Sequence, residues 1–252
     1  MKNKKKISII TACLNSERTI EQTIISVKKQ SYKNYEHIFV DGGSEDDTIK
    51  IIKKHLNKKI KFFSFQKKGI YNAFNKGIDI AKGDVVGFLN SDDFFYSPHS
   101  LKKINDSFND ESVLVVYGNL CLVDKYNTKK IFRRWRNSSR TYSDIKRGWL
   151  PPHPSFYCRK ICYKKFGKYN TKYGNSNDVD LMIRFLYLKK LKAKYIPNFL
   201  VKMRMGGVST KNYFSIIIQN YENYKIIRDN KLNFKILTYF FYKFLFKIKQ
   251  IK

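Results

Sequence analysis

In the first half of the chain, short apolar runs rich in β-branched residues alternate with stretches whose apolar positions recur every three or four residues. "ISIITACL" predicts a strand, and residues 17–30, "ERTIEQTIISVKKQ", predict a helix that turns Ile20, Ile24 and Val27 to one side. "YEHIFVD" is the next strand. It ends in "GGSEDDT", a Gly-rich turn in which Ser44 is the expected N-cap of a helix running to about His55. "KIKFFSF" predicts a third strand, "GIYNAFNKGIDIAKG" a helix stopped by Gly83, and "VVGFL" a fourth strand. This alternation implies an α/β fold: a mostly parallel, doubly wound sheet with right-handed crossovers and helices on both faces. Ligands of such sheets bind at the carboxyl ends of the strands.

The relay loosens after Asp93. A helix is expected over 98–109, strands at "VLVVYGN" and "KKIFRRW", and a short strand carrying His153 at "PPHPSFYCRK". "GNSNDVDLMIRFLYLKK" predicts a loop passing into a helix at about Asp178, with Leu181, Phe185 and Leu188 buried and Asp180 on the wet side. The last forty residues or so read as helical, aromatic and lysine-rich, which divides the chain into a main domain, 1–210, and a C-terminal extension, 211–252.

Polar clusters gather where the strands end. Asn15 follows the first strand, Asp41 closes the second, and Asp92 and Asp93 follow the fourth in "VVGFLNSDDFF". Two carboxylates at such a place are oxygen ligands for a hard divalent cation, although Asn-Ser-Asp-Asp is also good turn chemistry. The convergence of three clusters on one rim favours the ligand-binding reading. Asp41 fits equally a turn residue, and Asp178 at a helix start fits equally a cap. His153, between prolines, fits a core histidine as well as a site residue. Arg133, Arg134 and Arg136 suit either an anionic acceptor or the protection of a strand edge.

Composition narrows the partners. A chain of 252 residues with 42% hydrophobic and 16% aromatic residues folds around a proper core, so its net charge of +31 does not signal disorder. Such a field acts on anions: nucleic acid, acidic lipid or a phosphorylated small molecule. Nucleic acid is disfavoured, because the aromatics occupy apolar stripes instead of interleaving with the basic residues. The four cysteines lack zinc spacing, and neither a dinucleotide fingerprint nor a Walker motif is present. The apolar run after "MKNKKK" is too short for a signal peptide or a span, so a cytoplasmic protein is expected.

Taken in order, "ISIITACLNSE", "VDGGSEDDT", "KGIYNAFNKGIDIAKGDVVGFLNSDD", "HPSFYCRK", "NDVDLMIRF" and "MGGVS" resemble the family-2 inverting glycosyltransferases of the GT-A fold, and in detail those building bacterial capsule, exopolysaccharide and lipopolysaccharide. The resemblance implies transfer of one sugar from a nucleotide-diphosphate sugar, a UDP-sugar before others, with Mn²⁺ or Mg²⁺ as cofactor. It implies Asp93 as the metal ligand, with Asp92 reaching the donor ribose or the metal shell, and Thr11, Asn15 and Asp41 on the nucleotide-binding rim. It further implies Asp178 as catalytic base and His153 near the acceptor and diphosphate. The acceptor implied is a saccharide on polyprenyl diphosphate, at the cytoplasmic face of the inner membrane. The chain departs from the family at Gly42, where many members carry a second aspartate, at Phe74, where many carry arginine, and at Lys67, where near relatives carry an acid. The Q-x-x-R-W signature of processive members is missing, which implies one sugar per encounter. The other classes considered are a nucleotide binder without transfer activity and a basic nucleic-acid-binding protein.

The tail, "KLNFKILTYFFYKFLFKIKQIK", closes the sequence reading. On a helical projection Lys231, Lys235, Lys243, Lys247 and Lys249 share one side, and Phe240, Phe241, Phe244, Leu245 and Ile248 the other. A basic amphipathic helix of this kind lies on an anionic membrane surface, or else packs on the catalytic domain.

Overall fold

The computed structural model describes residues 4–67, 69–206 and 213–248. The boundary expected at residue 210, the end of "MGGVS", Lys249 and the Lys247 side chain lie outside the described residues. In chain order the elements are β1 (Ile7–Cys13), α1 (Ile20–Lys28), β2 (Tyr35–Asp41), α2 (Thr48–Lys54), β3 (Ile60–Ser64), α3 (Ile70–Ile80), β4 (Val85–Phe88), β5 (Phe94–Phe95) and α4 (Ser100–Ser107). They continue with β6 (Val115–Val123), β7 (Ile131–Trp135), α5 (Tyr142–Lys146), β8 (Tyr157–Arg159), α6 (Lys160–Phe166), α7 (Asn177–Met182), β9 (Ala193–Arg204), α8 (Tyr213–Asp229) and α9 (Ile236–Ile248).

One sheet runs in the order β3-β2-β1-β4-β8-β6-β9-β5, with β7 beside β6. The β3-β2-β1-β4 half is parallel throughout, as expected from its alternation with helices. Beyond β4 the sheet is mixed: β8 runs against both β4 and β6, β9 is parallel to β6, and β5 and β7 are antiparallel additions. Side chains alternate between two cores. Ile10, Val86 and Phe88 face α3, α6 and α7, whereas Ile9, Val85 and Leu89 face Val27 of α1 and Leu101 and Ile104 of α4. Gly87 is required where β4 meets β8, because a Cβ there would stand 2.0 Å from Cε1 of the buried Tyr157 ring.

Several local expectations are corrected. Ser44 does not cap α2; the helix starts later, at Thr48, and Ser44 turns back to Asp41. α3 ends at Ile80, before Gly83. His153 lies in a single 3₁₀ turn, His153–Ser155, where the flanking prolines fit the tight φ of the turn, and the strand begins only at Tyr157. Asp180 is buried, not wet: its carboxylate meets Arg184 at 3.3 Å and accepts from the Asn230 amide at 3.3 Å. Strand β9 was not expected. Its register against β6 jumps from Gly118–Ile196 to Asn119–Phe199, so that Pro197, which has no N–H for a ladder, sits in the irregularity.

The helices after β9 are tied into the body. Ile226, Ile227, Phe234 and Tyr239 join the same apolar cluster as α3 and α7. Phe240 packs against that cluster instead of facing outward with Phe241 and Phe244, because Tyr239, one residue earlier, anchors the helix.

One buried charge ties the β1, β2 and β3 edge together. Glu36, 1% exposed, accepts from Ser8 Oγ (2.7 Å), Lys61 Nζ (2.7 Å) and the Lys82 backbone N–H (2.5 Å). Burial alone would raise this carboxyl, but those donors together with Lys6 bring it down to about 2. A folded-state value below the unfolded one stabilises the fold above the unfolded value and is lost as pH falls through the folded value. Urea midpoints are therefore expected to fall from about pH 4.5 toward pH 2. Glu36→Gln should lower the neutral-pH midpoint and flatten that acid limb; an unchanged limb would remove Glu36 from the account.

Candidate functional site

Strand β4 delivers the chain to the rim, and the residues after it form a tight turn with its acids inward. Asp93 is wholly buried, and each of its oxygens is already used: Oδ1 accepts the Arg204 backbone N–H at 3.2 Å and Oδ2 the Asn90 amide at 2.9 Å. Asp92 is half-buried; its backbone carbonyl accepts from the Arg204 guanidinium, which also donates to Gln22, and its carboxylate takes its own backbone N–H. Burial pushes the Asp93 carboxyl well above the usual carboxylate range, the Asp92 charge adds to that, and Asn90 and Arg204 oppose it. Burial likewise raises Asp92, against the pull of Arg204. One guanidinium thus faces two carboxyl groups, and the acid left over suits an added cation. Of the two, Asp92 is the more exposed. Among the described residues no three Asp, Glu, His or Cys side chains converge into a preformed cage, so a metal here would need oxygens from its ligand or from water.

The residues expected on the nucleotide rim divide. Asn15 is exposed in the left-handed region (φ 48°), its backbone N–H donating to Ser44 Oγ at 3.0 Å and its side chain accepting from the Glu45 N–H at 2.9 Å. Asp41 is wholly buried and satisfied by its own turn, accepting the N–H groups of Gly43 and Ser44 at 2.9 Å and the Ser44 hydroxyl at 2.5 Å. It shapes the Gly-Gly loop. Thr11 is also inside. Its hydroxyl donates to the Leu89 carbonyl at 2.7 Å, so it must accept from His37 Nε2 at 2.9 Å, which fixes that imidazole with its proton on Nε2. Burial lowers His37 to about 3, so the ring is neutral. Thr11 therefore ties β1 to β2 and β4 and offers nothing to the rim.

A second constellation stands on an aromatic floor. His153 stacks on Phe88 (5.3 Å, 23°) and its Nε2 shares a 2.6 Å hydrogen bond with the Tyr169 hydroxyl. Phe74 packs against Phe88, His153 and Tyr169, filling the place where an arginine was expected in relatives. Asn75 fixes Tyr169 through both its backbone N–H and carbonyl, each at 2.9 Å. Tyr71 bridges outward. Its hydroxyl reaches the Asn175 carbonyl at 2.8 Å and Asp178 Oδ1 at 3.2 Å. Asp178 Oδ1 also accepts the Val179 N–H at 2.9 Å, and no described group takes Oδ2. Burial, and then the Asp178 charge, hold Tyr71 and Tyr169 well above the usual phenol range, so both are neutral donors. His153 is lowered by burial against the opposing pull of Asp178.

The structure thus brings Asp178 and His153 together on one aromatic floor, and Asp92, Asp93 and Asn15 to the same strand-end rim; Phe88 under His153 lies four residues before Asp92 on the same strand end. Arg204, Tyr71 and Tyr169 escaped the sequence reading. The only signal for Arg204 was its position just before "MGGVS", and for Tyr71 its place inside "GIYNAF".

The likeness to known proteins agrees with this layout. A Haemophilus influenzae protein described as an uncharacterized glycosyltransferase is 37% identical over 125 residues, 48% of this chain, and the match spans 50% of that protein. A PGL/p-HBAD biosynthesis glycosyltransferase of Mycobacterium bovis is 26% identical over 210 residues, covering 80% of this chain and 78% of its own. Among solved structures, S. aureus TarS 1–349 superposes with a TM-score of 0.66 at 19% identity over 88% of this chain and 65% of its own. The mannosyltransferase PcManGT from Pyrobaculum calidifontis, in complex with GDP-Man and Mn²⁺, gives 0.65 at 16% identity over 92% of this chain and 66% of its own. These superpositions show the GT-A fold. The glycosyl transferase family 2 model matches residues 8–169, from the first strand to Tyr169 and short of Asp178 and Arg204, and the chain belongs to that family.

Proposed function

We propose that the protein transfers a single sugar, with inversion, from a nucleotide-diphosphate sugar to a hydroxyl of a lipid-linked saccharide in cell-surface polysaccharide synthesis. The observation that carries this reading is Asp178: a carboxylate with one oxygen oriented by Tyr71 and the other open, held near the strand end that presents Asp92. Inverting displacement needs a base to take the acceptor proton on the face opposite the leaving nucleotide. Asp178 Oδ2 is that base, and the neutral Tyr71 hydroxyl keeps the carboxylate in place. His153 and Tyr169 line the floor between base and leaving group, with His153 toward the diphosphate. The rim of Asn15 and the Asp41 turn receives the nucleotide through backbone groups. Asp92 would hold a divalent ion, Mn²⁺ or Mg²⁺, which supplies charge neutralisation for the departing diphosphate. The donor complexes of the neighbours, UDP or UDP-GlcNAc with TarS and GDP-Man with PcManGT, support a nucleotide-sugar donor, and a UDP-sugar is the one proposed.

Asp178→Asn should keep donor binding while slowing transfer by roughly 10²- to 10⁴-fold, the usual scale for a lost general base. Single-turnover kinetics alongside calorimetry separate the two; turnover within a few-fold of wild type would return Asp178 to a helix cap. For the metal, Asp92→Asn should abolish the Mn²⁺-dependent part of sugar-nucleotide affinity in calorimetric titration. Equal Mn²⁺-dependent affinity in variant and wild type would overturn the assignment of Asp92.

The acceptor's setting follows from the two last helices. Along α9, Leu237, Phe241, Phe244 and Ile248 are exposed at a spacing that makes one stripe, and along α8 so are Phe214, Ile217, Ile218 and Tyr221. No described helix is long and apolar enough to cross a membrane. The α8 stripe has a cation beside it, Lys225 over Tyr221. An anionic bilayer surface satisfies both features, each basic residue near it adding about 1 kcal/mol. These features support a peripheral protein on the cytoplasmic face of the inner membrane. Wild type is expected to float with anionic vesicles and to be released by salt, while the full chain carrying Leu237→Ser, Phe241→Ser and Phe244→Ser should remain in the pellet fraction. Flotation of the variant equal to wild type would make the stripe irrelevant to membrane binding.

A further inference from the structure

Four strands contribute one residue each to a single row across the sheet. Arg134 on β7 stands opposite Cys121 on β6, Cys121 opposite Lys202 on β9, and Lys202 opposite Phe94 on β5. Residues paired in register share a face, so the two cations flank Cys121 on the side that carries Phe94. Cys121 is short and wholly buried, and no long side chain from β6 rises between them. Arg136, just past the end of β7, lies over Phe199 at 5.2 Å. Lys202 Nζ lies 5.8 Å from the Phe94 ring and 5.4 Å from Tyr96, which packs on Phe199 at 5.4 Å. Arg136 and Lys202 are thus seated on one aromatic platform, and Arg134 shares the row with Lys202. Burial raises the Cys121 thiol, while Arg134, Lys202 and Arg136 all pull it down, so their fields add at that point.

These charges are uncompensated. Among the described residues none of the three has a carboxylate partner within ion-pair distance. The acids that lead into the row, Asp92 and Asp93, already engage Arg204, whose guanidinium lies over the other reach of Phe94 at 5.1 Å. Protection of a strand edge would account for arginines on β7, but not for Lys202, whose strand lies between β6 and β5. Like charges gathered without acids and beside a leaving-group site fit a ligand that brings its own negative charge.

We propose that Arg134, Arg136 and Lys202 form an anion subsite that takes a phosphate group of the acceptor, the diphosphate that joins saccharide to lipid, apart from the donor diphosphate at Asp92. The proposal rests on the lipid-linked acceptor reading, yet its binding test does not depend on turnover. In EDTA, which silences a metal-dependent donor site, calorimetric titration with inorganic pyrophosphate and with farnesyl diphosphate is expected to show binding to wild type. Arg134→Gln with Lys202→Gln should weaken both by roughly tenfold or more, the scale of lost charge-assisted hydrogen bonds. The charge-matched variant Lys53→Gln with Lys54→Gln, on α2, should bind as wild type does, and Asp92→Asn should retain binding. Equal weakening in the α2 variant, or no weakening in the row variant, would reduce the effect to the general field of a basic protein and overturn the subsite. Farnesyl diphosphate binding more tightly than pyrophosphate supports a lipid-borne phosphate; equal affinities would overturn that source and leave free phosphate as the ligand. Binding that survives in a protein shown to transfer no sugar would sink the transferase reading and not the subsite.

Discussion

Arg204 reaches across from the end of β9 and holds a buried pair of acids that would otherwise repel one another. Its backbone N–H and its guanidinium take Asp93 Oδ1 and the Asp92 carbonyl, and the same guanidinium reaches Gln22 on α1. A buried carboxylate without partners costs several kcal/mol, so the turn after β4 keeps its shape only while this contact stands. The consequence spreads through the fold. Strand β9 must run the full length of β6 to bring Arg204 to the rim, and Thr23 on α1 adds its hydroxyl to the carbonyls of Ser91 and Asp93 at 3.0 and 2.7 Å. Elements distant in sequence are thereby locked around four residues.

The floor beside that turn is built by aromatic packing instead of charge. Phe74, Phe88, Tyr169 and His153 meet ring against ring, with Tyr71 at the border toward Asp178. Phe74 adds no charge to the region, and burial in this packing lowers His153 and raises Tyr71 and Tyr169. The charge of the site is thus concentrated in Asp178 at one end and in the Asp92–Arg204 group at the other. That separation suits the proposed displacement, in which a base and a leaving group stand on opposite sides of the reacting carbon.

The parallel half of the sheet was legible because strands buried on both faces are written as continuous β-branched runs: all seven residues of β2 are buried. In the other half β6, β7 and β8 were legible in outline, but β5, with two residues, and β9, with Pro197 within it, were not, since neither gives a periodic signal. Rim positions were visible as polar residues after strands, but whether their side chains face a ligand depends on partners far along the chain. Thr11 is turned inward by Leu89 and His37, and Asp93 is consumed by Arg204, 111 residues away. Of the two neighbouring acids, Asp178 has the open oxygen, and Asp180 is withdrawn for a reason different from the one expected. It is shut inside by Arg184 and Asn230, a residue of the segment after α8.

That segment also explains how a helix bearing an outward apolar stripe belongs to the site. Glu222 on α8 accepts from Ser176 Oγ at 2.8 Å and the Asn175 N–H at 3.3 Å, so the turn just before Asp178 hangs from it. Gly174 allows the approach: it has φ +54°, and a Cβ would meet Glu222 Oε1 at 2.0 Å. The same turn offers the Asn175 carbonyl to the Tyr71 hydroxyl that orients Asp178. One carboxylate on the inner side of α8 therefore fixes the turn that precedes Asp178, while the outer side exposes Ile217 and Tyr221. Because a helix is rigid over this length, any surface that holds those outer side chains would also set the height and tilt of Asp178, the proposed base.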